Sequence, residues 1–162
     1  MAQRLNLEEV SPTLTWHRWD AIYKVPQHGG TIYVGDEWTS KDSKLLQSLH
    51  INRIVNCTQG DSRIPNYHSS DPRFEYLNFE VCYWENSVGS SDESVLAYFE
   101  PLWNFMDQSL FVGQSVLIHC LAGAHRAGTV GIASLIHYAG IIYTQRNLIF
   151  LFHVLLYFRT SH

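Results

Sequence analysis

The residues of this sequence best suited to chemistry lie in one short segment, in which Arg126 follows Cys120 by six positions. A thiolate is a strong nucleophile near neutral pH when a helix N-terminus and backbone N–H groups stabilise its charge. A planar guanidinium can hold two phosphate oxygens and follow them as the phosphorus becomes trigonal bipyramidal. Gly123, between the two, allows a positive φ angle or a close backbone approach. The spacing therefore predicts a nucleophile and a clamp that act on one phosphate.

The elements around this segment fit that chemistry. Residues 116–119 form an apolar run typical of a short buried strand, and the small residues after Arg126 lead into an apolar helical pattern. A strand, a tight loop and a helix in this order turn the N–H groups of the loop inward at a helix N-terminus, which is an anion-binding arrangement. Residues 120–126 are called the cysteine loop below.

His119-Cys120, five residues and then Arg126, with Gly123 inside the loop, is similar to the His-Cys-x5-Arg signature of the cysteine-dependent protein tyrosine phosphatases. The chain length resembles that of their dual-specificity branch, and the similarity runs from about residue 31 to about residue 140. The resemblance implies a single α/β domain with a small, mostly parallel central sheet flanked by helices. It also implies a phosphocysteine on Cys120, no cofactor, a loop-fixing role for His119, and phosphate binding by Leu121, Ala122, Gly123, Ala124, His125 and Arg126.

The sequence departs from the family pattern at the general acid. The family places an aspartate in the loop after the third strand, but the aromatic pair Tyr83-Trp84 puts Cys82 at that position. We expect residues 83–94 to form a mobile lid and predict Asp92 as the acid that protonates the leaving oxygen. A helix-capping role for Asp92 remains open.

A second departure follows Arg126. The family has a serine or threonine there, whose hydroxyl helps the sulfur leave during hydrolysis, whereas this chain has Ala127. Thr129 is the candidate loop-supporting hydroxyl, although on a helix it lies on a neighbouring part of the surface. Loss of one such hydrogen bond predicts slower breakdown of the phosphocysteine, by roughly 10²-fold.

The apolar patterns predict further elements along the chain. Residues 31–35, 53–57 and 74–81 favour strands, a helix begins at Ser40, and another covers residues 95–111. The last predicted helix covers residues 129–139 and stops at Gly140. Residues 1–30 are expected to form an arm or helix, with Trp19 on a helical turn, and the apolar tail 141–162 to form a core helix too short to span a membrane.

Composition limits the class of protein. The 162 residues suit a single domain, and a net charge of −4 without a basic face argues against nucleic-acid binding. The three cysteines form no Cys-x-x-Cys pair and the nine histidines no ligand pattern, so we expect no metal site. The odd cysteine count and the lack of a signal segment favour a reduced protein of the cytoplasm or nucleus. Oligomeric state is not indicated.

The resemblance and the loop predict a protein phosphatase that acts on phosphotyrosine, with phosphoserine and phosphothreonine as further candidates. The cysteine loop lacks lysine, which favours a phosphoprotein over a phosphoinositide with additional phosphates. The alternative is a weak or inactive pseudophosphatase that binds phosphoproteins as an adaptor, favoured by Ala127 and the unassigned acid. Cys57 and Cys82 are candidate redox partners of Cys120, or simply small buried residues.

Overall fold

The computed structural model describes residues 18–58, 63–82, 84, 87–89 and 91–140. Five strands form one sheet, and four helices lie against it. The strands are β1 (Trp19–Lys24), β2 (Thr31–Gly35), β3 (Ile51–Asn56), β4 (Glu75–Asn78) and β5 (Ser115–His119). The helices are α1 (Glu37–Lys41), α2 (Ser43–Ser48), α3 (Asp92–Leu110) and α4 (His125–Ala139).

The sheet has the strand order β1-β2-β5-β3-β4. Strands β2, β5, β3 and β4 are parallel, and β1 pairs antiparallel with β2 at one edge. The prediction of a mostly parallel sheet is therefore confirmed. Because parallel strands end at the same edge of a sheet, the carboxyl ends of these four strands lie together with the beginning of β1. Cys120 follows the central strand β5 at this edge.

The core lies on both faces of β5, whose five residues are all buried. Val116 and Ile118 belong to the larger apolar cluster, which includes Phe99 and Leu102 of α3 and Val130 of α4. Leu117, which points to the opposite face, belongs to a smaller cluster with Leu46 of α2. Burial on both faces explains why the β5 sequence is a continuous apolar run rather than an alternating one.

The single helix predicted from Ser40 is wrong, because two short helices occupy this region. The Asp36 carboxylate caps α1 by accepting the N–H of Thr39 at 2.8 Å. The Asp42 carboxylate caps α2 by accepting the N–H groups of Lys44 at 3.1 Å and Leu45 at 3.0 Å. Asp42 lies between the two helices, where it ends α1 and caps the start of α2. The two capping residues therefore divide the segment into two helices, although the leucine spacing predicts one.

The N-terminal prediction also needs correction, since Trp19 begins the edge strand β1 instead of lying on a helical turn. Only weak alternation between exposed and half-buried residues marks β1. Its pairing with β2 is a tertiary contact, supported by an edge-to-face contact at 5.5 Å between the Trp19 and Tyr33 rings. The expectations for residues 1–17 and for the apolar tail 141–162 lie outside the described residues.

Helix ends agree partly with the predictions. Helix α4 ends at Gly140, whose left-handed φ of 60° confirms the predicted stop. Helix α3 begins at Asp92, three residues earlier than predicted, because Ser91 caps it, and the predicted third strand is reduced to β4. Among the described helices, none combines the length and the apolar character that a membrane crossing requires.

Candidate active site

Cys120 lies directly after β5 and only 3% of it is exposed. The strand is held from both sides, because Gly35 of β2 and Asn56 of β3 both pair with His119. The N–H of Cys57 also donates to the carbonyl of His119 at 2.9 Å. These bonds fix the position of the backbone immediately before the sulfur.

The cysteine loop rests on the connection between β2 and α1. Gly123 has a φ of +70°, and a Cβ at this position would lie 2.9 Å from the carbonyl carbon of Gly35 and 3.0 Å from the nitrogen of Asp36. The N–H of Glu37 donates to the carbonyl of Leu121 at 3.2 Å. Gly123 therefore combines a positive φ angle with a close backbone approach, and the backbone that it approaches belongs to Gly35 and Asp36.

The N-terminus of α4 faces the end of the cysteine loop. The N-cap residue Ala124 makes no side-chain capping bond, and its carbonyl accepts the N–H of Gly128 at 2.8 Å. The N–H groups of the first turn therefore lack a side-chain partner and carry the positive end of the helix dipole. Arg126, the second residue of α4, is half-buried and adds a guanidinium. This arrangement can hold an oxyanion against the Cys120 sulfur.

The side chains of the cysteine loop mostly point outward. Those exposed to solvent are Leu121, Ala122, Ala124 and His125. The loop predicted to bind substrate thus presents small or apolar groups at its rim, and its backbone is left to contact a phosphate. Binding itself remains a prediction for these residues.

His119 is fully buried, and neither ring nitrogen meets a partner in full hydrogen-bonding geometry among the described residues. Loss of solvation lowers the pKa of His119 to about 4, while the Cys120 backbone and the charges of Asp36 and Glu37 act in the opposite direction. The imidazole is therefore neutral at neutral pH. It lies beneath the cysteine loop as an uncharged packing group.

The cysteine loop contains Cys120, and two further cysteines, Cys57 and Cys82, lie near one another at its base. Cys57 and Cys120 are buried and Cys82 is half-buried. Burial raises the pKa of Cys57 well above its ordinary value, the charges of Cys120 and Cys82 raise it further, and Arg126 lowers it. Cys57 therefore lies within electrostatic reach of Cys82, Cys120 and Arg126.

The structure places Asp92 as the first residue of α3, where it is exposed. The capping alternative for Asp92 is wrong, because the Ser91 hydroxyl caps α3 by accepting the N–H of Ser94 at 3.3 Å. The last three residues of the predicted lid, 92–94, are helical, and residues 83, 85, 86 and 90 of it lie outside the described residues. The acid role of Asp92 remains a prediction.

Thr129 does not bond the sulfur of Cys120. Its hydroxyl donates to the carbonyl of His125 at 2.8 Å, one helical turn earlier. Ala127 is fully buried in the first turn of α4, within the larger apolar cluster. The Thr129 hydroxyl thus bonds the backbone of His125 at the end of the cysteine loop. It is not directed to the Cys120 sulfur.

Sequence reasoning missed two polar arrangements that support the site. One is the β2–α1 connection at Asp36 and Glu37, for which the capping spacing from Asp36 to Thr39 was an available signal. The other follows β3, where the Asn56 side chain accepts the N–H of Thr58 at 2.9 Å and donates to the Asn66 side chain at 3.0 Å. No local pattern indicates this second network, because its partners come from separate parts of a loop.

The comparisons with known proteins agree with this geometry. The model of the dual specificity phosphatase catalytic domain matches residues 32–149, so the chain belongs to this family. Protein phosphatase Slingshot of Drosophila melanogaster is 29% identical over 114 residues, 70% of this chain and 10% of that protein. Human dual specificity protein phosphatase 9 is 29% identical over 105 residues, 64% of this chain and 25% of that protein. The chain thus spans a quarter or less of the length of these relatives.

Two solved structures show the same fold. Human DUSP28 superposes with a TM-score of 0.52 at 19% identity, covering 72% of this chain and 70% of that one. Human tyrosine phosphatase-like serine/threonine/tyrosine-interacting protein gives a TM-score of 0.51 at 23% identity, covering 73% and 74%. The described residues contain no group of three or more His, Cys, Asp or Glu side chains arranged to hold a metal ion.

Proposed function

We propose that this chain is a protein phosphatase that hydrolyses phosphotyrosine, and also phosphoserine and phosphothreonine, through a phosphocysteine on Cys120. One observation carries the proposal. Cys120 directly follows the central strand and begins a glycine-containing loop. That loop leads into a helix N-terminus without a side-chain cap, and Arg126 lies in the first turn of this helix. This order of elements supports the proposal, because it puts the cysteine and the oxyanion-binding groups on one short loop between a strand and a helix.

The first chemical step in this proposal is attack by the Cys120 thiolate on phosphorus. The S–P bond forms as the bond from phosphorus to the substrate's side-chain oxygen breaks. Loop N–H groups and Arg126 hold the phosphoryl oxygens as their charge redistributes. The departing oxygen takes a proton, for which Asp92 is the proposed donor. Water then attacks the phosphocysteine and releases inorganic phosphate and the thiolate.

Charge around the cysteine loop supports a substrate with a single phosphate. Arg126 is the one Lys or Arg within residues 120–126, and the remaining side chains are small, apolar or histidine. A phosphoinositide with several phosphates would meet no additional lysine in the loop. Cys57, Cys82 and Cys120 form no disulfide, which suits a reducing compartment, so the cytoplasm or nucleus is the proposed location.

The second candidate is a phosphoprotein-binding adaptor without turnover. Ala127 offers no hydroxyl to the sulfur, and Cys82 occupies the position where the family resemblance places the acid. The same loop would still bind a phosphate. A structural neighbour bears the name "tyrosine phosphatase-like" interacting protein, which illustrates that the fold alone does not separate an enzyme from a binding module.

Pre-steady-state hydrolysis of 4-nitrophenyl phosphate distinguishes the two. This ester has a good leaving group and needs little help from an acid, so it tests the nucleophile independently of Asp92. We expect a burst equal to the enzyme concentration followed by slower turnover, both absent in Cys120→Ser. Absence of both in the unaltered chain, with phosphate binding retained, would favour the adaptor.

A further inference from the structure

A cavity of about 490 Å³ lies between the beginning of β1 and the helices α1 and α2, and it has no part in the chemistry described above. Three segments line it: Arg18 and Trp19 at the beginning of β1, Trp38 and Lys41 in α1, and Asp42 and Leu45 at α2. Its volume falls in the lower part of the range for small-ligand sites, roughly 300–1,000 Å³. It has room for one or two amino-acid side chains.

The register of the sheet places this cavity at the same edge as Cys120. Trp19 pairs with Gly35 across β1 and β2, and Gly35 pairs with His119 across β2 and β5. Two strand spacings therefore separate Trp19 from the residue before the nucleophile, which is about 10 Å. An extended chain advances about 3.3–3.6 Å per residue. A residue about three positions from the phosphorylated one can reach the cavity.

Exposed apolar side chains occur both at the cavity and in the cysteine loop. Trp38 is 59% exposed and Leu121 is 48% exposed, although both are large and apolar. Glu37, the neighbour of Trp38, donates its N–H to the carbonyl of Leu121 at 3.2 Å. A substrate that occupies the loop would therefore pass over Leu121 and Trp38. Large apolar side chains exposed near a candidate site are typical of a binding surface.

The charged groups of the cavity are already compensated within the protein. The Lys41 ammonium donates to the Glu37 carboxylate, which also accepts the Tyr67 hydroxyl at 2.6 Å. Arg18 lies 3.8 Å from the Asp36 carboxylate. A charged ligand would therefore compete with existing partners instead of neutralising a free charge.

The remaining charges position the exposed indole. The ammonium of Lys41 and the guanidinium of Arg18 lie 4.6 and 5.3 Å from the centre of the Trp38 ring. Such cation–π contacts restrain the ring without covering its outer edge. The Asp42 carboxylate is occupied in capping α2. Thr39, the remaining polar residue of the lining, is buried, and its hydroxyl donates to the carbonyl of Arg18 at 2.9 Å. The apolar lining consists of the Trp19 and Trp38 indoles and Leu45.

We propose that this cavity is a specificity subsite for an apolar side chain, aromatic or branched aliphatic, about three residues from the phosphorylated residue of a phosphoprotein. The proposal rests on the function proposed above, because it places the phosphate of the same substrate in the cysteine loop. It names Trp38 as a specificity-determining residue. Trp38 contacts the substrate away from the reacting atoms and takes no part in bond breaking.

The test compares phosphotyrosyl peptides that carry Leu, Ala or Glu at the second to fourth positions on either side of the phosphotyrosine. The kcat/KM of each peptide is divided by that of 4-nitrophenyl phosphate, which has no flanking residues. We expect the best Leu peptide to exceed its Ala counterpart about tenfold, the discrimination that a small apolar pocket achieves. Trp38→Ala should remove most of this preference, and Trp38→Leu should retain part of it.

Phe111→Ala is the matched control, since Phe111 is also an exposed aromatic residue, 46% accessible, at the opposite edge of the sheet. It should leave the preference intact. Equal kcat/KM for Leu and Ala peptides, or a preference that survives in Trp38→Ala, would overturn the subsite. A preference for Glu would overturn its apolar class.

A failure of the proposed phosphatase activity can be distinguished from a failure of the subsite. A chain that does not hydrolyse 4-nitrophenyl phosphate is not the proposed enzyme, but the subsite is then tested by fluorescence anisotropy with the same labelled peptides. Tighter binding of Leu peptides that depends on Trp38 would support the subsite in an adaptor. Equal affinities for Leu and Ala peptides would reject it.

Discussion

Cys57 and Cys120 lie side by side at the ends of neighbouring parallel strands. The N–H of Cys57 donates to the carbonyl of His119 at 2.9 Å, and the preceding residue, Asn56, pairs with His119. Neighbouring strands are about 4.8 Å apart, which is within the Cα separation of about 4.4–6.8 Å that a disulfide spans. The sheet thus places a second cysteine on the strand next to that of the proposed nucleophile, at a strand spacing that a disulfide can span.

Mild oxidation should therefore produce a Cys57–Cys120 disulfide. Hydrogen peroxide converts the Cys120 thiolate to a sulfenic acid, and the Cys57 sulfur then attacks that sulfur and releases hydroxide. Burial raises the pKa of Cys57, so little of it is thiolate at neutral pH. The rate of disulfide formation should rise with pH through the neutral range. Peptide mass spectrometry would identify the pair, and dithiothreitol should restore activity.

Two variants separate the candidate partners. In Cys57→Ser, peroxide should carry Cys120 on to the irreversible sulfinic acid, so that dithiothreitol no longer restores activity. Cys82→Ser should form the same disulfide as the unaltered chain. A Cys82–Cys120 linkage, or over-oxidised Cys120 alone in the unaltered chain, would contradict the prediction.

The parts of the site that the sequence predicted depend on local signals. An apolar run buried on both faces marks β5, and the left-handed Gly140 marks the end of α4. The cysteine loop between them could be found because its function requires a fixed spacing of residue types. Each of these signals lies within a few neighbouring residues.

The parts that sequence reasoning missed depend on contacts between distant segments. Strand β1 is defined by its pairing with β2, and the cavity beside Trp38 joins three segments that lack a common pattern. The division between α1 and α2 was the exception, because Asp36 and Asp42 are capping residues with recognisable spacing. These caps, rather than the leucine pattern, determine where the two helices begin.

Gly123→Ala should disrupt the cysteine loop. The substitution puts a side chain at a φ of +70° and a Cβ within 3.0 Å of three backbone atoms of Gly35 and Asp36. The backbone conformation alone should lower the free energy of unfolding by about 1–2 kcal/mol, and the clash should add to it. Urea unfolding would measure the loss, and turnover of 4-nitrophenyl phosphate should fall at least tenfold because the loop N–H groups lose their alignment with Arg126 and Cys120.

Gly140→Ala is the matched control for this prediction. Gly140 also has a positive φ, +60°, but a Cβ there would meet no atom within 4 Å. It should lose only the conformational contribution, about 1–2 kcal/mol, and keep its activity. Equal stability losses in the two variants would show that the approach to Gly35 is not a tight contact in solution.

Ala127→Ser should accelerate breakdown of the phosphocysteine. A hydroxyl in the first turn of α4 restores the donor that the family resemblance places next to the sulfur, and we expect the slow phase after the burst to quicken by up to about 10²-fold. Thr129→Val should change this phase little, because the Thr129 hydroxyl already donates to the carbonyl of His125. An unchanged slow phase in Ala127→Ser, or strong slowing in Thr129→Val, would contradict this assignment.

The free energy of unfolding should fall as the pH is lowered from about 6.5 to about 4. Burial of His119 lowers its pKa to about 4, and neither ring nitrogen has a hydrogen-bond partner in full geometry among the described residues. In this window the unfolded chain binds a proton that the folded chain does not, so unfolding becomes easier as the pH falls. A shift of this size corresponds to about 3 kcal/mol, all of it present above pH 6.5 and lost below pH 4.

His119→Asn removes this titration and should flatten the dependence of unfolding free energy on pH between 6.5 and 4, whatever it costs at pH 7. His137→Gln is the control, because His137 is exposed; burial lowers its pKa, and the charge of Asp107 acts in the opposite direction. That variant should retain most of the slope. Urea titrations at half-unit pH intervals would measure both, and an unchanged slope in His119→Asn would show that this imidazole acquires its proton in the folded protein.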